Sequence, residues 1–182
     1  MSGRTDPAML GPARYERRPL DAYDSPPWTV DALLEHWTPF GLIWEPAAGR
    51  GAIVDRLRER GHDQVLGTDL APRRDDILEM DFFAGRPRVW DQLTIHCLVT
   101  NPPYTEAERF VRSALSLIDR GYLRAAAFLL RHEWDCAASR ADLFDRPSFL
   151  GKVVLTRRPR WKEFEKGDKG PRHNFAWVVW DR

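Results

Sequence analysis

Two hydrophobic rhythms alternate along the chain. Short apolar runs stand near 42–44, 64–68, 94–100, 124–130, 153–156 and 175–180. Runs of this length predict strands. The 124–130 run is apolar almost throughout, as a parallel strand covered on both faces should be. Between the runs the spacing becomes helical. Val30, Leu33, Leu34 and Trp37 share one face of a helix expected over 29–37, with Thr29 as its N-cap. Residues 52–60 predict a second helix, closed by Gly61. Residues 106–120 predict a third, with Phe110, Ala114, Leu117 and Ile118 recurring and Gly121 at its stop. A fourth is expected over 135–144. Pro72, Gly85 and Pro87 break the stretch 71–92, which leaves room for a short strand near 77–80. Strands alternating with helices predict an α/β fold on a mostly parallel twisted sheet, and the last two strands an antiparallel hairpin at one edge.

With 182 residues, 43% of them apolar, the chain is long enough for one domain with a sizeable core. Residues 1–22, rich in Arg, Pro and Gly and without a period, predict an N-terminal arm, and 23–182 a single domain. The net charge is only +1, so bulk charge does not announce nucleic acid. One stretch departs from that balance. Residues 152–172 carry eight Lys or Arg against three acids, with Trp161 and Phe164 interleaved. A solvated hairpin tip would explain this, and so would a grip on a phosphate backbone. No signal peptide and no long apolar segment are seen, which predicts a cytoplasmic protein with no membrane contact. Two cysteines, Cys97 and Cys136, make neither a disulfide framework nor a metal site. His132-Glu133 and His173-Asn174 lack ligand spacing, so no metal is expected.

The candidate chemistry lies at strand ends. The run Leu98-Val99-Thr100 stops at Asn101-Pro102-Pro103-Tyr104. An Asn side-chain oxygen and the first carbonyl of a Pro-Pro step both accept from a planar N–H2, the prolines fix φ, and Tyr104 offers a flat ring. The first strand ends in Glu45-Pro46, followed by Ala47-Ala48-Gly49-Arg50-Gly51. The two glycines let a ligand approach the backbone, and the acid favours an amino-bearing ligand over a phosphate. The second strand ends at Asp69-Leu70, 18 residues beyond Gly51, close to the spacing at which an acid meets ribose hydroxyls. Asp81-Phe82 follows at a later strand or loop end. A full dinucleotide glycine motif and a P-loop are both absent.

These segments, in this order, resemble the class I S-adenosylmethionine-dependent methyltransferases that modify amino nitrogens, most often adenine N6 in DNA. The resemblance implies a Rossmann-like class I methyltransferase fold with S-adenosylmethionine as cofactor. It places Glu45, Pro46, Ala48, Gly49 and Gly51 at the methionine part, Asp69 with Leu70 at the ribose, and Asp81 with Phe82 at the adenine. Tyr23, Pro26 and Trp28 fall in a leading segment that packs over the methionine moiety, as in the gamma motif order. Asn101, Pro102, Pro103 and Tyr104 match the catalytic tetrapeptide, Asn101 also adjoining the cofactor. Arg157, Arg158, Arg160 and Lys162 are expected to meet phosphates, with Trp161 or Phe175 facing a stacked base. DNA stands ahead of RNA as the expected partner. Only 78 residues follow Tyr104, and the fold consumes most of them, so no separate target-recognition domain is expected. A specificity partner or a homodimer is left open. The alternatives are an RNA base, a protein glutamine, and a non-catalytic methyltransferase-like subunit that binds nucleic acid.

Overall fold

The computed structural model describes residues 24–84, 94–161 and 173–182. The expected N-terminal arm, Tyr23 and Lys162 lie outside the described residues. Among those described, seven strands form one sheet in the order β3-β2-β1-β4-β5-β7-β6. The strands are β1 (Leu42–Glu45), β2 (Val65–Asp69), β3 (Leu78–Glu79), β4 (Ile95–Thr100), β5 (Ala125–Arg131), β6 (Phe149–Val154) and β7 (Phe175–Asp181). β1 to β5 pair in parallel. β7 runs antiparallel between β5 and β6, so the sheet ends in the expected antiparallel edge. The helices are α1 (Pro27–Leu34), α2 (Ala52–Glu59), α3 (Ala107–Asp119) and the single turn α4 (Ala141–Phe144).

Side-chain alternation divides the core between the two faces of the sheet. Ile43, Cys97, Val99, Ala127, Leu129 and Trp177 meet Val30 and Leu33 of α1 and Val54 and Leu57 of α2. Their neighbours Trp44, Leu98, Phe128, Leu130, Val178 and Trp180 meet α3. α3 buries Phe110, Ala114 and Ile118 of the expected stripe together with Val111 and Leu115, while Leu117 is only half-buried. Gly121, at φ 75°, takes the left-handed turn that stops it. Three buried indoles satisfy their N–H groups: Trp177 on the Thr29 carbonyl at 2.6 Å, Trp180 on the Leu143 carbonyl at 2.9 Å, and Trp44 on Thr68 at 2.9 Å.

Three expected elements come out differently. α1 begins at Pro27, two residues before the expected start. Pro at the first helical position is pre-set for the helix, and Thr29 is fully buried, donating to the Pro26 carbonyl at 2.7 Å instead of capping. The helix expected over 135–144 is broken into short 3₁₀ turns at His132–Asp135 and Ala138–Arg140 before α4. Tertiary bonds hold this stretch: Asp135 takes an ion pair from Lys152 at 2.9 Å, and Arg140 lies 4.5 Å from the Trp134 ring centroid. β6 begins at Phe149, not near 153, because Phe149 packs on Phe144 and Trp180. Lys152 thus belongs to the strand, not to a basic loop.

Candidate active site

The carboxyl ends of β1, β2 and β4 meet in a cleft lined by Asp24, Ser25, Glu45, Ala47, Ala48, Gly49, Asp69, Asn101 and Pro103. Parallel strands bring this about, since each βα turn emerges at the same sheet edge. The turn after β1 is pinned to β2. Ala48 N–H donates to the Thr68 carbonyl at 2.9 Å and Gly49 N–H to Asp69 Oδ2 at 2.8 Å. Gly49 and Gly51 sit at φ 55° and 81°, a left-handed backbone that side chains disfavour. A Cβ on Gly51 would stand 2.7 Å from the Arg74 guanidinium, whereas one on Gly49 would meet nothing within 4 Å. The backbone at Gly49 is therefore open to a ligand.

Glu45 is 1% exposed. Its Oε1 accepts from the Thr100 hydroxyl and from Ala47 N–H at 3.2 Å, while Oε2 has no partner among the described residues. Burial pushes its carboxyl up to about 8, against the pull of the Thr100 and Ala47 bonds, and the Asp69 charge adds to the rise. Asn101 donates from Nδ2 to Ser25 Oγ at 3.2 Å, and its Oδ1 is buried without a partner among the described residues. Asp69 accepts on both oxygens, from Gly49 N–H and from Ala71 N–H at 2.9 Å.

The other expected site residues divide. Pro46 and Pro102 are buried in the turns that shape the cleft. Pro26 lines an adjoining hollow with Arg160 and Trp161. Leu70 is 58% exposed at the sheet edge. Asp81 and Phe82 do not line the cleft: Asp81 Oδ1 accepts from Phe83 N–H at 2.8 Å, and Phe82 stacks on Phe110 at 4.6 Å in the core. Tyr104 is half-buried, 5.7 Å from Phe175 and 5.8 Å from the Arg131 guanidinium. Phe175 is 1% exposed, so it supports Tyr104 and Trp161 from below and presents no free face to a base. Arg158 and Arg160 are exposed, Arg158 donating to Asn174 Oδ1 at 2.9 Å. Arg157 lies 4.3 Å over Trp28. Sequence reading missed Ser25 and Thr100. Their one sequence signal is position: Thr100 is the polar residue that ends the β4 run, and Ser25 opens the Pro-Pro-Trp segment. Among the described residues no group of His, Cys, Asp or Glu could hold a metal, and no helix is long and apolar enough to cross a membrane.

No protein-family model and no curated protein sequence matches the chain. Solved structures do share its architecture. PH1948 from Pyrococcus horikoshii superposes with a TM-score of 0.58 at 11% identity, over 90% of this chain and 87% of that one. The 23S rRNA methyltransferase ErmE superposes with a TM-score of 0.56 at 16% identity, over 88% and 70%. The E. cuniculi Mtq2–Trm112 complex, responsible for methylation of the translation termination factor eRF1, gives a TM-score of 0.53 at 17% identity, over 85% and 93%. At these identities the likeness is one of fold. The chain has the Rossmann-like class I methyltransferase fold.

Proposed function

We propose that this protein transfers a methyl group from S-adenosylmethionine to a planar amino group, with an RNA base as the leading substrate. One observation carries the reading: two buried side-chain oxygens without partners among the described residues, Glu45 Oε2 and Asn101 Oδ1, belong to residues that line one cleft. A buried acceptor left unsatisfied costs about 1–3 kcal/mol. A cofactor with an ammonium group and a target with an N–H2 supply a donor for each. The remaining residues fit the same pair. Asp69 keeps a lone pair on each oxygen for the ribose hydroxyls, and the open backbone at Gly49 admits the methionine part.

S-adenosylmethionine, when bound, supplies an electrophilic methyl on a sulfonium sulfur. Asn101 Oδ1 and the Pro102 carbonyl accept hydrogen bonds from the two amino N–H groups of the target, and the proton that the methyl replaces leaves to water. These bonds keep the nitrogen lone pair from delocalising into the ring or amide. The Tyr104 ring lies against the planar group and holds it in place, and such positioning accounts for most of the acceleration. No covalent enzyme intermediate is needed.

The sequence reading put adenine N6 in DNA first. ErmE acts on rRNA and Mtq2–Trm112 on a protein, so RNA moves ahead of DNA here, and a protein glutamine is the second reading. Exposed Arg158 and Arg160 beside Trp161 favour nucleic acid. The test uses labelled S-adenosylmethionine with, separately, total RNA, single-stranded DNA, duplex DNA and a protein extract, followed by digestion. Label on an exocyclic nitrogen of an RNA base is the expected result. Label on glutamine selects the second reading. A protein that binds the cofactor yet labels no pool overturns the transfer reading.

A further inference from the structure

Ser25 is 4% exposed, a buried hydroxyl in the short segment before α1. Its contact is with Asn101, whose Nδ2 donates to Ser25 Oγ at 3.2 Å across 76 residues of sequence. The preceding residue reaches elsewhere: Thr100 Oγ1 donates to Glu45 Oε1. Two consecutive residues at the end of β4 therefore bond to two different walls of the cleft. An amide is planar, so anchoring its nitrogen fixes the direction of its oxygen. Here that oxygen, Asn101 Oδ1, is the one left without a partner among the described residues.

We infer that Ser25 is a positioning residue: by holding Asn101 Nδ2 it presents Oδ1 to the target amine. The inference rests on the proposed function for its use and on the Ser25–Asn101 hydrogen bond for its geometry. Turned over, the amide would offer N–H groups to an N–H2, donor against donor, and the acceptor the reaction needs would be lost. Ser25 also lines the cleft with Asp24 and Glu45, so the segment that walls the cofactor end sets the amide at the target end.

The test compares wild type with Ser25→Ala, Ser25→Cys and Ser25→Thr. The Asn101 side-chain amide resonances, assigned by their loss in Asn101→Asp, report the bond without any turnover. Ser25→Ala should move them and speed exchange of their protons by about fivefold to tenfold, the net worth of one hydrogen bond. Ser25→Thr should restore both. Ser25→Cys, close in size but a poor acceptor, gives the same comparison should the Ala variant fail to fold. In transfer assays with saturating cofactor Ser25→Ala should lower kcat roughly tenfold or more, and Ser25→Thr should restore it. Unmoved Asn101 resonances in the Ala or Cys variant overturn the inference, as does a loss of kcat that Thr does not rescue. If wild type labels no substrate, the proposed function falls, and the resonance comparison still decides the Ser25 hydrogen bond.

Discussion

Cofactor binding should expel a proton from Glu45. The carboxyl is raised to about 8 by burial, so at pH 7 it is about 90% protonated in the free protein. An amino group ordinarily titrates near 8, so the cofactor's is almost fully charged between pH 6 and 7. Placing that ammonium against Glu45 Oε2 stabilises the carboxylate, and the proton leaves. Binding at pH 7 should release about 0.8 proton per cofactor, about 0.9 from Glu45 less about 0.1 taken up by the amine. Because the charged carboxylate is the binding form, affinity should rise about tenfold from pH 6 to pH 7. Calorimetry at pH 7 in phosphate and in Tris measures the release, since the observed heats differ by the protons released times the difference in buffer ionisation heat. Glu45→Gln should show no release and a flat pH dependence. It should also bind roughly 10- to 100-fold more weakly, the worth of about 1.5–3 kcal/mol for hydrogen bonding to a charged group. The same group makes a pH-dependent contribution to the stability of the free protein. The fold prefers protonated Glu45, whose ordinary value is 4.5, so its contribution is complete below that value and is lost as pH rises toward 8. Glu45→Gln should remove that loss. Equal heats in the two buffers, or proton uptake, would refute the pairing of the ammonium with Glu45.

Asp69→Asn should raise the cofactor Kd roughly tenfold or more by calorimetry, because one oxygen that accepts from a ribose hydroxyl becomes a donor. Equal affinity would place the ribose elsewhere. Changing both Arg158 and Arg160 to Ala should weaken RNA binding across all sequences. The slope of log K against log salt should flatten by about 0.7 for each single-strand phosphate that is no longer neutralised, with cofactor affinity unchanged. Fluorescence anisotropy over a salt series checks this, and an unchanged slope would leave the two arginines as solvated surface.

The parts of the candidate cleft written into contiguous residues were legible as strand ends and turns. The β4 run stops at Asn101-Pro102-Pro103 because two prolines cannot continue a central strand, and the turn Glu45 to Gly51 carries its glycines where the backbone is left-handed. The parallel order of β1, β2 and β4 followed from alternating strands and helices. What was not legible depends on partners far along the chain. Ser25 is 76 residues from the amide it touches, and Thr100 is 55 from Glu45. Phe82 reads as an aromatic beside an acid, yet Trp44 and Phe110 draw it into the core. Phe175 reads as an edge aromatic, but β7 runs between β5 and β6, which buries it. Lys152 reads as the start of a basic run, while its ammonium is spent on Asp135 and the His132 carbonyl. Spacing reports which face a residue takes, and not which distant side chain waits there.

The most direct measurement is single-turnover transfer from labelled S-adenosylmethionine to total RNA by wild type and Asn101→Ala, beside their cofactor affinities. Asn101 Oδ1 acts on the target amine and not on the cofactor. The rate should therefore be at least about 10²-fold lower in the variant, the scale for one well-placed polar group, with Kd for the cofactor nearly unchanged. Near-wild-type transfer by Asn101→Ala would contradict that role.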